Sequence, residues 1–270
     1  MSHLLDLRVS LDYPGKPGVL RDVSFDLQRG EILGLVGKSG SGKSSLALAI
    51  LRLLDGKSAR VSGAIRFQGR DLLQLSENEM RQVRGREIGL VLQSPLSSLN
   101  PSLLLSTQLE EAWRAHANGG AAHWKRRAEL LMESVSLPAD PEFLRRKPAQ
   151  LSVGLAQRFL IAMAILHQPP LLIADEPTSA LDVITQSEIL ELFGKLNRNL
   201  GVSMLYISHD LLSVASLCHR IAILHEGEIV EMGPTDLIFA HPSHPYTQRL
   251  VAALPSFRSE DRNSVLPARY

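Results

Sequence analysis

Apolar and polar positions alternate along Leu4–Leu11 and along Val19–Leu27, the period-two pattern of strands with one face in a core. After a turn at Gln28-Arg29-Gly30, Ile32–Val36 is a continuous run without polar residues, as expected of a strand buried on both sheet faces. Gly63–Phe67, Ile88–Leu92, Leu171–Ala174 and Val202–Ile207 are further short strands, and Arg220–Leu224 pairs with Glu228–Met232 in a hairpin around Gly227. Helical patterns occupy Ser44–Leu54, Leu103–Ala117, Ala121–Val135, Val153–His167 and Val183–Asn199. From about Ser94 to Gln168 strand patterns vanish, which predicts a helical subdomain (about 94–168) inserted into an α/β core. Beyond Gly233 come prolines and short helical stretches, with last residues expected to be mobile. There is no internal repeat.

The chain has 270 residues, 44% hydrophobic and 21% charged, enough for one large α/β domain with a modest subdomain or tail. A net charge of +1 leaves no electrostatic footprint for nucleic acid. The basic run Lys125-Arg126-Arg127 reads as a solvated helix face. Cys218 is the only cysteine, which excludes an internal disulfide and a cysteine-only metal site; Val214, Leu217 and Ile221 around it predict a buried thiol. Asp6 interrupts the start where a signal peptide needs an apolar run, and no stretch approaches the roughly 18 apolar residues of a membrane span. A cytosolic protein is expected, whose membrane work is done through a partner.

Gly37-Lys38-Ser39-Gly40-Ser41-Gly42-Lys43-Ser44 fits the G-x-x-x-x-G-K-[ST] pattern between a buried strand and a helix. Its glycines let successive N–H groups curl inward around anionic oxygens, and the helix adds its N-terminal dipole. Lys43 is placed to reach the β- and γ-phosphates of a nucleotide, and the Ser44 hydroxyl to ligate Mg²⁺. Leu171–Ala174 then ends in Asp175 and Glu176. Ligands of open α/β sheets bind at the carboxyl ends of strands, so Asp175 is a candidate for Mg²⁺ and Glu176 for the attacking water. Gln93, after Ile88–Leu92, is a candidate contact of metal or water. His209 follows Val202–Ile207 and either hydrogen-bonds a γ-phosphate or caps the helix beginning near Asp210.

The order of these features resembles the ATP-binding cassette of ABC transporters over about residues 4–235. The resemblance implies a P-loop NTPase core of the ABC ATPase type, with an antiparallel β subdomain and an inserted helical subdomain. It makes residues 1–235 the ATP-binding domain and 236–270 a C-terminal tail. It places Tyr13 against adenine, Ser45 among the phosphate contacts, Gln93 in the Q-loop, Asp182 in the D-loop Ser179-Ala180-Leu181-Asp182, and His209 as the switch histidine. The signature segment reads Leu151-Ser152-Val153-Gly154-Leu155-Ala156-Gln157-Arg158, whose Ser152 and Gly154 match the positions that reach γ-phosphate across a dimer interface. Val153 stands where the family usually has glycine. If that position requires φ > 0, the branched side chain is strained by about 1–3 kcal/mol; if not, the change is harmless. Leu155 and Ala156 also remove polar groups, so a weakened signature is expected.

Gln93-Ser94-Pro95-Leu96-Ser97-Ser98-Leu99-Asn100-Pro101 and His241-Pro242-Ser243-His244-Pro245-Tyr246-Thr247-Gln248-Arg249-Leu250 resemble segments of dipeptide, oligopeptide and nickel importers. The histidines of the second segment are expected to be solvated. The subfamily resemblance implies ATP and Mg²⁺ as cofactors, transmembrane permease subunits and a second ATP-binding subunit as partners, in a heterodimer or a homodimer. It also implies an indirect link to an external solute-binding protein, no nucleic acid, and a place on the cytoplasmic face of the bacterial inner membrane. Two rival readings are a regulatory subunit with little or no hydrolysis, and a non-transport ABC ATPase of translation or repair.

Overall fold

The alternation read in the first strand is realised in the computed structural model, which describes residues 3–54, 59–117 and 121–254. Strand β1 (Leu5–Tyr13) buries Leu5, Leu7, Val9 and Leu11, one residue in two. It pairs antiparallel with β2 (Lys16–Leu27) on one side and β4 (Arg60–Phe67) on the other, Leu7 lying opposite both Phe25 and Ile65. The two-residue strand β5 (Arg70–Asp71) completes an antiparallel sheet of order β2-β1-β4-β5. Residue contacts divide the chain into two compact units: residues up to Leu75 together with those from Leu205 on, and Ser76–Met204.

The first unit also holds β3 (Ile32–Val36), buried at every position, and the helix α1 (Lys43–Ile50). It ends with α9 (Leu211–Leu217), β9 (Arg220–His225), β10 (Glu228–Pro234), α10 (Thr235–Ala240) and α11 (Pro245–Ala252). Strand β3 pairs parallel with β9, from Leu33 opposite Arg220 to Val36 opposite Ile223, and β9 pairs antiparallel with β10. This doubly covered, parallel environment is why β3 tolerates no polar residue. Val214 and Cys218 sit against Gly34, and burial pushes the Cys218 thiol up, so the residue is an inert core thiol as expected. Helix α1 stops four residues short of the expected Leu54. Arg52 adopts a left-handed φ of 50°, and its guanidinium donates to the carbonyls of Leu72 and Leu75 instead.

The second unit contains α2 (Glu77–Val83), β6 (Ile88–Val91), α3 (Pro95–Ser98), α4 (Leu105–Arg114), α5 (Ala121–Ser134), α6 (Pro141–Leu144), α7 (Val153–Ile165), β7 (Leu171–Asp175) and α8 (Val183–Leu200). Strands β6 and β7 pair parallel, Ile88 opposite Leu171 and Val91 opposite Ala174. The described residues between them form helices and turns. Strand β8 (Ser203–Ser208), buried throughout, runs across the boundary between the units. Arg127 departs from the expected solvated basic run: its Nε and Nη2 donate to the carbonyl of Leu166 at 3.1 and 2.8 Å, satisfying the C-terminus of α7. Burial lowers its pKa.

The C-terminal segment is tied down by one carboxylate. Glu231 on β10 accepts the Ser243 amide at 2.7 Å, the Ser243 hydroxyl at 2.8 Å and the His244 amide at 3.0 Å. His244 in turn caps α11 through Nδ1, which accepts the Tyr246 amide at 3.2 Å, so this histidine has a structural task. The last residues, expected to be mobile, lie outside the described ones.

Burial alone would raise the Glu231 carboxyl, but the hydrogen bonds from Ser243 and His244 outweigh it and hold the group at about 2. Its folded pKa lies below its ordinary one. The stabilisation is therefore complete above the ordinary carboxylate range and is lost as pH falls toward 2. Glu231→Gln is expected to lower Tm near neutral pH by about 2–4 °C, equivalent to about 1 kcal/mol. Calorimetric scans against pH should show the gap to wild type closing between 4.5 and about 2.

Candidate functional site

The loop after β3 is shaped by what its backbone cannot accommodate. A Cβ at Gly37 would lie 2.4 Å from the Leu224 carbonyl oxygen at the end of β9 and 2.7 Å from Ser41 Oγ, so only glycine fits. Gly42, at φ 105°, is the N-cap of α1 and supplies no side-chain cap. The first amides of α1 thus open toward the loop, the arrangement that binds anions. Lys43 is buried, and its ammonium donates to the carbonyls of Gly37 at 2.8 Å and Lys38 at 3.1 Å. The Ser41 amide donates to the same Lys38 carbonyl at 3.2 Å. Ser41 Oγ is itself buried with no hydrogen-bond partner among the described residues, an orphaned donor inside the loop. Ser39, Gly40 and Ser44 are exposed. Tyr13, the last residue of β1, donates from its hydroxyl to Ser45 Oγ at 3.2 Å, which brings the expected adenine contact to the first turn of α1.

Asp175, the last residue of β7, and Glu176 just after it have 7% and 9% of their surfaces exposed, rare burial for carboxylates. Glu176 adopts φ 49°, a left-handed conformation that costs a non-glycine residue of order 1–3 kcal/mol and that clusters at functional sites. A tight turn holds it, the Glu176 carbonyl accepting the Ser179 amide at 3.3 Å and its hydroxyl at 3.0 Å. Gln93 and His209 are both exposed, each just past a strand end. The capping alternative for His209 is excluded: Asp210 caps α9, accepting the amides of Leu212 at 3.0 Å and Ser213 at 3.3 Å. The oxygens of the Ser44 hydroxyl, the Gln93 amide and the Asp175 carboxylate are the hard donors that Mg²⁺ takes, so the donor chemistry fits that ion.

The signature segment and the D-loop are brought together within the second unit. Ser152 is the N-cap of α7 and accepts the Leu155 amide at 3.3 Å. Val153 is the first residue of that helix and is not among the residues with positive φ. The strain considered for the branched side chain is therefore absent. The glycine with a steric task is Gly154, where a Cβ would meet Thr185 Cγ2 at 2.7 Å. Asp182 caps α8, its Oδ1 accepting the amides of Ile184 and Thr185 at 3.1 and 3.0 Å and its Oδ2 the Thr185 hydroxyl at 2.7 Å. Those bonds, the Thr185 amide first, hold its carboxyl below the usual range. One turn further along, Arg158 of α7 pairs with Glu188 of α8 at 2.9 Å. The sequence signal for Thr185, Arg158 and Glu188 is only spacing: Thr185 lies three residues from Asp182, Arg158 four from Gly154 and Glu188 three from Thr185, which places them on shared helix faces.

Comparison with known proteins shows the family. Residues 20–179 match the ABC transporter family, and residues 230–269 match the oligopeptide/dipeptide transporter C-terminal region. The chain is 42% identical over 266 residues to the oligopeptide transport ATP-binding protein OppD of Bacillus subtilis, covering 97% of this chain and 74% of that one. It is 40% identical over 253 residues to the dipeptide transport ATP-binding protein DppD of Escherichia coli, covering 92% and 77%. Among solved structures, the ATP-binding cassette MJ0796, a dimer in a post-hydrolysis state bound to ADP and Pi, matches with a TM-score of 0.74 and 27% identity over 86% of this chain and 98% of that one. The likeness to cbiO1 from Clostridium perfringens, with a TM-score of 0.77 at 23% identity over 94% and 97% of the chains, concerns the fold alone.

Fold and loop together define a nucleotide-binding cassette that hydrolyses ATP. The chain belongs to the ABC transporter family, and its mixed α/β fold is that of an ABC ATPase.

The contact between α7 and α8 gives a direct test. Gly154→Ala is expected to cost about 1–3 kcal/mol through overpacking against the Thr185 methyl, and Thr185→Ser in the same chain to recover most of it. Chemical denaturation midpoints of the two variants check both halves.

Proposed function

We propose that the chain powers the import of di- or oligopeptides, seated on the cytoplasmic face of a bacterial inner membrane against permease subunits. The observation that carries this reading is the match of residues 230–269 to the oligopeptide/dipeptide transporter C-terminal region, in a chain whose Lys43 bonds the Gly37 carbonyl of the loop after β3. Peptides are favoured over nickel because the two relatives are named for oligopeptides and dipeptides. No described helix is long and apolar enough to cross a membrane, so attachment through a partner suits the chain. Leu92, Leu96 and Leu104, large apolar side chains left exposed around the Q-loop, suit contact with a permease. The helical subdomain at about 94–168 and the tail at 236–270 are the divisions this reading uses.

The reaction is ATP plus water to ADP plus phosphate. The amides of Gly37, Lys38, Ser39, Gly40, Ser41 and Gly42 and the start of α1 hold the phosphates, with Ser45 beside them and Tyr13 against adenine. Lys43 places its charge on the β- and γ-phosphates. Glu176 orients and deprotonates the attacking water, His209 donates to the γ-phosphate, and Gln93 acts as sensor toward the permease. Ser44, Asp175 and Gln93 would hold Mg²⁺, which would supply positive charge to the phosphate oxygens.

A second cassette completes the machinery. Ser152 and Gly154 reach the γ-phosphate bound by the other subunit, and Asp182 holds the D-loop between the two sites. Val183 and Ile184, beside Asp182, are 83% and 75% exposed, apolar surface that suits burial against such a partner. With Leu155 and Ala156 replacing polar residues in the signature, a heterodimer with one strong and one weak site follows. The external solute-binding protein is met only through the permease, and nucleic acid has no part.

Lys43→Ala is expected to weaken ATP binding by about ten- to a hundred-fold, the worth of charge-assisted hydrogen bonds. Glu176→Gln should leave ATP affinity within about two-fold while cutting turnover of the membrane complex by about 10²–10⁴. Replacing the catalytic Glu of each cassette in turn separates the two sites. Unequal losses support the asymmetric dimer, and equal losses argue against it.

A further inference from the structure

We infer that Tyr246, in the C-terminal segment, is a positioning residue for the phosphate loop: its ring, stacked on His225, steadies Lys38 and through it the backbone that receives the nucleotide. The inference rests on the assignment of residues 37–44 as the nucleotide site. Lys38 is the hub of that loop, because its carbonyl accepts both the Lys43 ammonium at 3.1 Å and the Ser41 amide at 3.2 Å. Its own ammonium lies 5.9 Å from the centroid of the Tyr246 ring, at cation–π range.

The ring is held from several sides. Tyr246 is 3% exposed and stacks on His225 with centroids 3.7 Å apart and planes 13° from parallel. His225 follows Leu224, whose carbonyl is the group that forbids a side chain at Gly37. The end of β9 thus touches the first residue of the loop through its backbone and carries the platform for Tyr246 on the next residue. On the other side, Glu231 fixes Ser243 and His244, and His244 accepts the Tyr246 amide. The segment matching the oligopeptide/dipeptide transporter C-terminal region therefore meets the phosphate loop at the Lys38–Tyr246 contact. The consequence is that this segment sets nucleotide affinity without touching nucleotide.

The test uses the full chain, with ATP affinity by titration calorimetry and Tm recorded alongside. Tyr246→Leu keeps apolar bulk and removes the π face, whereas Tyr246→Phe keeps the ring. Tyr246→Leu and Lys38→Met are each expected to raise Kd about two- to five-fold, the size of a partly exposed cation–π contact, with Tyr246→Phe at the wild-type value. The double variant should be no weaker than the weaker single one, because both remove the same contact. A wild-type Kd for Tyr246→Leu, or effects that multiply in the double variant, overturns the inference. If Tyr246→Leu does not fold, Lys38→Met decides alone, and an unchanged Kd overturns it. Lys43→Ala, run in parallel, keeps the two readings apart. ATP binding that survives this change sinks the nucleotide-site assignment itself, while its loss beside an unaffected Tyr246→Leu sinks only the role of Tyr246.

Discussion

A loop that turns its amide protons inward must turn the carbonyls of neighbouring peptides elsewhere, and those carbonyls need donors. Lys43 meets that demand from within the motif, bonding the Gly37 and Lys38 carbonyls with one buried ammonium. The same group carries the positive charge a triphosphate requires, so the fold of the loop and its chemistry are the same contact seen from two sides. A buried ammonium needs partners whether or not nucleotide is present. The two carbonyls provide them, and the cradle is held ready before any ligand arrives. Glycine at position 37 is the complementary constraint, since the Leu224 carbonyl occupies the place of a side chain. Strand, loop and helix are locked by what is absent as much as by what is bonded.

What could be read from the sequence follows the physics of each feature. The all-apolar Ile32–Val36 was found with its boundaries intact because a strand covered on both faces admits no polar residue. The phosphate loop was legible because its glycines and lysine are stereochemical requirements at fixed spacing. Helix α2 was missed although its signal is local: Ser76 and Glu79 form a capping box, Ser76 Oγ accepting the Glu79 amide at 3.3 Å and Glu79 accepting the Ser76 amide at 2.7 Å. Asp140 before Pro141 announces α6 in the same way. Arg127 could not be read, because the carbonyl it satisfies lies 39 residues away. The anchoring of the tail is likewise non-local, a glutamate on β10 holding amides twelve and thirteen residues further on.

The signature segment shows how a departure from a family pattern should be weighed. The sequence leaves two outcomes for Val153, and the backbone decides between them: as the first residue of α7, with a negative φ, it needs no glycine. The invariant demand falls one residue later, where the Thr185 methyl occupies the space a side chain at Gly154 would take. Thr185 is itself fixed by Asp182 through both its amide and its hydroxyl. The start of α7 and the start of α8 are therefore set by one cluster of three residues, with the Arg158–Glu188 pair a turn beyond.

This arrangement changes what a weakened signature means. Because Val153 is unstrained and Ser152 still caps its helix, the segment keeps its shape and the anion-attracting end of α7. Leu155 offers no side-chain hydrogen bond at the start of α7, and Ala156 is buried in the core. In the proposed dimer, fewer donors at a preserved geometry weaken attraction for a γ-phosphate without preventing two cassettes from closing on each other. Loss of shape would instead have put Asp182 at risk, because Gly154 and Asp182 share Thr185. A cassette built this way can lower the turnover of the site it completes for its partner while its own Lys43 and Glu176 stay intact. On that physical ground rests the proposed asymmetric pair, in which one site turns over faster than the other.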